Sequence, residues 1–220
     1  MIQQGKKTTG TCHYLNGFLT TENTRCKAKT LEEFKNLELL LSIFAHRSSS
    51  QIFQVGRSFS TNRSKLNEQE NWNYHLSDFI KLTHSHCVYL VFKSFVEFLG
   101  SVKDVSIYNV LYPLCCLYAF ENIMDKSGEF LVDQFLDSSQ INVLYDGIKQ
   151  LLKEIRPNVI PLVDSFDFSD YYLASAIGSY DGNYPLRLFE SAKIDPLNQQ
   201  DVSESYHKYF SKLIKAQSKL

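Results

Sequence analysis

The sequence predicts an all-α protein, an antiparallel bundle of packed helices. Three observations carry this. Apolar residues recur every three or four positions through four long stretches, the spacing that keeps one face of a helix continuous. No stretch alternates apolar and polar residues with period two for long enough to form a sheet. Residues that end helices, Gly100, Gly128 and the Arg156-Pro157 pair, stand between or after the stretches.

Residues 1–29 differ from the rest. Lys6, Lys7, Arg25, Lys27 and Lys29 face a single acid, Glu22, among Thr, Gly and Asn with no helical period. A basic, acid-poor start suits a transit peptide, but Gly5, Gly10 and Gly17 break the amphipathic helix such a peptide needs. These residues read as an irregular leading segment. From Thr30 the pattern turns helical. Thr30 and Glu33 have the spacing of a capping box, in which the hydroxyl and the carboxylate each accept from the other residue's backbone N–H. Leu31, Phe34, Leu37, Leu41, Phe44, Ile52, Val55 and Phe59 follow. Ser48, Ser49 and Ser50 weaken the middle, so a bend or break is expected there.

Residues 62–73 are polar and form a joint, with Trp72 anchoring the next helix against the core. A second helix spans about Tyr74 to Leu99 and is apolar over much of its circumference. A third starts near Asp104 and contains Pro113, whose ring should kink it. A fourth, capped by Ser138 or Ser139, places Ile141, Leu144, Tyr145, Ile148, Leu151, Leu152 and Ile155 on one face before Arg156-Pro157 closes it. A last helix from Val202 to Ala216 is expected to dock and leave the final residues in solvent. The domain so defined covers residues 30–217.

A formal net charge of -1, from 23 Lys plus Arg and 24 Asp plus Glu, gives no reason to expect nucleic acid or an anionic membrane as partner. No apolar run approaches the roughly 18 residues of a membrane span. Cys12, Cys26, Cys87, Cys115 and Cys116 are an odd number and read as free thiols in a reducing compartment.

Catalytic signatures are sparse. There is no Gly-rich phosphate loop and no Gly-x-Ser-x-Gly elbow. His84-Ser85-His86-Cys87 invites a metal reading, but on a helix only His84 and Cys87 share a face. No second pair stands at a matching spacing, so these read as ordinary helix residues. Asp164, Asp167 and Asp170, with Asp181 beyond, lack the dense oxygen-ligand spacing of a calcium loop and read as caps of short helices near Ser165 and Ser169. From the residues alone no catalytic, cofactor-binding or metal site is assigned.

One block carries more. Leu162-Val163-Asp164, Phe166-Asp167-Phe168, Tyr180-Asp181-Gly182-Asn183, Leu188-Phe189-Glu190, Pro196-Leu197-Asn198 and Glu204-Ser205-Tyr206 precede a terminal Ser218-Lys219-Leu220. Together they resemble the carboxyl-terminal end of peroxisomal acyl-CoA oxidases. Weaker similarity reaches upstream through His86-Cys87 and Leu114-Cys115-Cys116-Leu117-Tyr118. Tyr184-Pro185-Leu186 and Ser191 depart from the family's wording. The resemblance implies a flavoprotein oxidoreductase of lipid metabolism, acting in fatty acid β-oxidation. Such enzymes use FAD to oxidise a fatty acyl-CoA to the trans-2-enoyl-CoA and release hydrogen peroxide.

In that family the catalytic carboxylate and the flavin-binding residues lie in domains that this chain does not match, so none is carried over. The resemblance then implies a truncated chain, inactive alone, that serves packing and assembly in a dimer or other homo- or hetero-oligomer with the flavin-bearing domains or subunit. FAD is expected to bind the full-length enzymes and not this chain by itself. Ser218, Lys219 and Leu220 form an address read by the peroxisomal import receptor, which places the protein in the peroxisome matrix. The alternative is a non-catalytic peroxisomal module that binds acyl chains or a protein partner.

Overall fold

Thr30 opens the first helix as its spacing predicts. Its hydroxyl accepts from the Glu33 N–H at 3.4 Å, and the Glu33 carboxylate accepts from the Thr30 N–H at 3.0 Å. In the computed structural model, which describes residues 7–18, 22, 24–200 and 202–217, this helix is α1, Leu31–Phe34. Asn36 then caps α2, Leu37–Asn62, by accepting from the Leu39 N–H at 3.1 Å. The break expected at Ser48–Ser50 does not occur, and α2 runs through all three serines, which are buried. Low helix propensity is overridden here by packing, because small side chains let neighbouring segments close on the helix. The Ser50 hydroxyl is occupied by Gln54 Nε2 at 3.0 Å.

The polar joint holds a helix of its own, α3, Glu68–Tyr74, opened by a capping box between Asn67 and Glu70. Trp72 leans on Phe79 with ring centroids 4.7 Å apart but remains 55% exposed, so it braces the rim and does not anchor in the core. His75 does that. It is fully buried between α3 and α4, Leu76–Ser101. Its Nδ1 lies 3.0 Å from the Asn71 carbonyl, which can only accept, so Nδ1 carries the proton and Nε2 accepts from the Ser58 hydroxyl at 2.9 Å.

Asp104 caps α5, Val105–Asp125, which continues unbroken past Pro113. After α6, Ser127–Val132, the cap of α7, Ser138–Ile155, is Asp137 and not Ser138 or Ser139. Asp137 and Gln140 close the reciprocal box at 2.9 Å in both directions. Every regular element among the described residues is helical, and no described helix is long and apolar enough to cross a membrane.

One compact unit ends at Val159. In it α2 packs on α4, α4 on α5, and α5 on α7. Phe34, Phe44, Phe92, Phe120 and Phe130 are fully buried at their junction with Leu40, Ile43, Leu144 and Leu151. The tightest approach is at Gly147 of α7. A Cβ there would lie 2.8 Å from Phe120 Cε2 and 2.5 Å from Leu31 Cδ1. The leading residues join the same core. A 3₁₀ helix, Gly10–Gly17, buries Leu15, and Gln140 Nε2 donates to the Cys26 and Ala28 carbonyls at 2.9 and 2.7 Å.

The second unit begins at Ile160. Its elements are short: α8, Val159–Asp164, which starts at the last residue of the first unit; α9, Asp170–Leu173; α10, Tyr184–Ile194; and α11, Ser211–Gln217, which continues a π-helical turn over Tyr206–Phe210. No described side chain between Ile160 and Ile214 is buried. The final helix therefore shows its apolar residues, with Tyr209 58% and Leu213 64% exposed, where docking was expected. The acids also act differently from N-caps. Asp170 sits inside the first turn of α9 and accepts from the Tyr180 N–H at 3.1 Å, and Asp181 accepts from the Asn183 N–H and from Arg187. They tie loops together.

Gly147→Val should destabilise the first unit by about 2–3 kcal/mol, since overpacking forces backbone or rotamer shifts. Chemical denaturation measures it, and a variant as stable as the parent would contradict the close approach of α5 and α7.

Candidate functional site

The expected import residues Ser218, Lys219 and Leu220 lie outside the described residues. The described polar clusters all belong to the first unit or to short loops of the second. His84 and Cys87 are exposed on α4, whereas His86 turns inward. His86 Nδ1 lies 2.8 Å from the Tyr14 hydroxyl, which lies 2.7 Å from Ser48 Oγ. That chain joins the leading segment, α2 and α4. Among the described residues no three His, Cys, Asp or Glu side chains gather as a metal site would require.

The densest constellation was not legible from spacing. Its residues come from the middle of α2, from α6 and from the turn that follows it. Arg47 is only 4% exposed, and its Nε donates to Glu129 Oε2 at 2.6 Å. Gln51 Nε2 donates to the same oxygen at 2.6 Å. On the preceding residue of α2, His46 Nε2 meets Asp133 Oδ2 at 3.1 Å while its ring stacks on Phe135 at 3.7 Å. Asp133 also accepts from the Phe135 N–H at 3.1 Å, which fixes the carboxylate. Two consecutive residues of α2 thus hold two carboxylates. A buried guanidinium is tolerated only when paired, so the pair costs most when one partner is removed. The arrangement registers α6 against α2.

Its chemistry is that of a fastener. Burial pushes the Tyr14 phenol up to about 12, and the Cys115 and Cys116 thiols up to about 12 and 11, away from their reactive anions at neutral pH. A cavity of about 320 Å³ opens beside this seam, lined by Tyr14, Phe18, Ser42, His46, Ser49 and Phe135. A larger one, about 750 Å³, is bordered by Glu32, Glu33 and Glu38 together with Lys27 and Asn36.

Glu129→Ala should cost about 3 kcal/mol, because it strands a buried guanidinium. Arg47→Met leaves a partly solvated carboxylate and should cost clearly less. Equal or reversed losses in urea unfolding would contradict the assignment of Arg47 as the desolvated partner.

Comparison with known proteins follows the fold. The family model described as acyl-CoA oxidase matches residues 36–215. Peroxisomal acyl-coenzyme A oxidase 1 of Rattus norvegicus is 35% identical over 224 residues, which take in 100% of this chain and 33% of the relative. The human protein of the same name is 42% identical over 135 residues, 61% of this chain and 20% of its own length. Among solved structures, Arabidopsis thaliana acyl-CoA oxidase 1 superimposes with a TM-score of 0.83 at 28% identity, covering 98% of this chain and 32% of that one. The chain spans about a third of the length of these curated relatives. It belongs to the acyl-CoA oxidase family.

Proposed function

We propose that this chain is the helical carboxyl-terminal part of a peroxisomal acyl-CoA oxidase, working by packing and assembly while the chemistry lies in polypeptide outside it. The observation that carries this reading is the second unit. Its residues Phe166, Tyr171, Ile177, Ile194 and Leu197 are 69–87% exposed, yet they belong to the block that resembles the family. Leaving apolar surface in water is unfavourable by about 25 cal/mol per Å². Such a surface suits burial against the flavin-bearing part of an oxidase.

FAD is a cofactor of family members; one solved relative, acyl-CoA oxidase-1 of Caenorhabditis elegans, is described as complexed with FAD and ATP. In this reading the flavin and the carboxylate that takes the substrate's α-proton belong to the partner polypeptide or domains. The first unit contributes a rigid bundle, and the second unit supplies the docking surface. The import receptor is the remaining partner, reading Ser218-Lys219-Leu220. Peroxisomal location is supported by that tripeptide and by the names of the relatives.

Two outcomes are expected. The purified chain takes up no FAD and produces no hydrogen peroxide from palmitoyl-CoA, but binds a flavin-bearing amino-terminal polypeptide of a matching oxidase when the two are co-expressed. Flavin absorbance and peroxide from the chain alone would sink the assembly reading. A fluorescent protein fused to its amino end should enter peroxisomes and become cytosolic when Ser218–Leu220 are deleted. An undeleted fusion that stays cytosolic would contradict the import role.

A further inference from the structure

Three places in the chain set Asn or Asp directly before glycine: Asn16-Gly17, Asp146-Gly147 and Asp181-Gly182. Such pairs share one chemistry. The glycine nitrogen attacks the side-chain carbonyl carbon and closes a succinimide, because a residue without a Cβ leaves the approach open. Closure on aspartate forms a C–N bond and expels the side-chain hydroxyl, with the amide proton, as water. Hydrolysis then returns one water, so no oxidant or reductant takes part. Opening at the side-chain carbonyl restores aspartate. Opening at the backbone carbonyl leaves isoaspartate, whose main chain runs through the side chain and is one atom longer.

The fold separates the three. Asn16 is pinned on Thr8: its Oδ1 accepts from the Thr8 N–H at 2.7 Å, and its Nδ2 donates to the Thr8 carbonyl at 2.8 Å. Turning the amide onto Gly17 would break both bonds. Asp146 lies inside α7, where Phe120 and Leu31 leave the Gly147 backbone no room to move. Asp181 and Gly182 are exposed, in a turn closed by the Gly182 N–H donating to the Ser179 carbonyl at 3.0 Å. Gly182 has a φ of +68°, a backbone that a side chain disfavours. The Asp181 carboxylate accepts from the Asn183 N–H at 3.0 Å, which draws it across the peptide of Gly182. Its other oxygen accepts from Arg187 at 3.2 Å.

We propose that Asp181 closes on the Gly182 nitrogen and reopens as isoaspartate, a modification that the tie to Arg187 holds back. Closure starts from the neutral acid, since the departing oxygen must leave as water. The Asn183 N–H and the Arg187 guanidinium hold the Asp181 carboxyl below the usual carboxylate range, and Asp170 and Glu190 are the other charged groups around Arg187. The extra main-chain atom falls just before α10 and carries the carboxylate away from Arg187. On the assembly reading above, on which this consequence rests, the change lies in the docking unit. A chain modified before it pairs then binds less of the flavin-bearing polypeptide.

Isoaspartyl methyltransferase with labelled S-adenosylmethionine tests the modification on the whole chain. After warming at neutral pH the chain should accept methyl label, and electron-transfer fragmentation should place isoaspartate at position 181. Asp181→Glu keeps the carboxylate but closes no such ring, and it should lose most of the label. Arg187→Met should gain label faster than the parent. Warmed parent should bind less of the flavin-bearing polypeptide than fresh parent, with Asp181→Glu unchanged by warming. If neither fresh nor warmed chain binds it, the assembly reading fails and the label decides the modification alone. No isoaspartate at position 181, as much at 146 as at 181, or an Arg187→Met chain labelled no faster than the parent overturns the proposal.

Discussion

The packing of α7 onto Phe120 is the constraint from which the rest of the first unit follows. Gly147 leaves no room for a side chain against the Phe120 ring or the Leu31 methyl. The close approach is what buries Leu144, Ile148 and Leu151 together with Phe120, and it draws α1 over the same junction. The turn between α1 and α2 is then held from the other side, because the Tyr112 hydroxyl donates to the Lys35 carbonyl at 2.6 Å. Glycine in a helix costs about 1 kcal/mol relative to alanine. Here the cost is offset by the dispersion contacts that a shorter interhelical distance provides.

Polar groups then set register around the apolar junction. His75 fastens α3 and α4 to α2, Tyr14 joins the leading segment to α2 and α4, and Arg47 with His46 holds α6. Satisfied buried groups of this kind cost little in place and much when orphaned. Gln51 Oε1 and Asn71 Oδ1 are buried without a hydrogen-bond partner in the structure. The amides that carry them are each held through the nitrogen instead, at Glu129 and at the Phe59 carbonyl.

The helices were legible where period and caps agreed. Thr30, Asp104 and the Ile141-to-Ile155 face state their structure locally, and the all-α class follows from them. Ser48–Ser50 misled because propensity describes an isolated helix, whereas these serines sit where the leading segment closes over α2. Trp72 misled because a large aromatic residue does not declare which side of a short helix faces the core. Arg47 and Glu129 are 82 residues apart, and no local pattern links them. The acids of the second unit could be recognised as structural without their partners being foreseen, since Asp170 reaches ten residues ahead to Tyr180.

The second unit presents the opposite case, in which the sequence carries a strong family signature and the structure buries none of it. Phe166 and Phe168 stack on each other 6.0 Å apart while both stay exposed, and the proposed role in assembly would cover them. Hydrogen exchange across 160–217 measures this most directly, with the chain alone and with the flavin-bearing polypeptide added. Fast exchange that becomes strongly protected in the mixture, with the helices of the first unit unchanged, is the predicted result. Protection already complete in the chain alone, or absent in the mixture, would contradict the account.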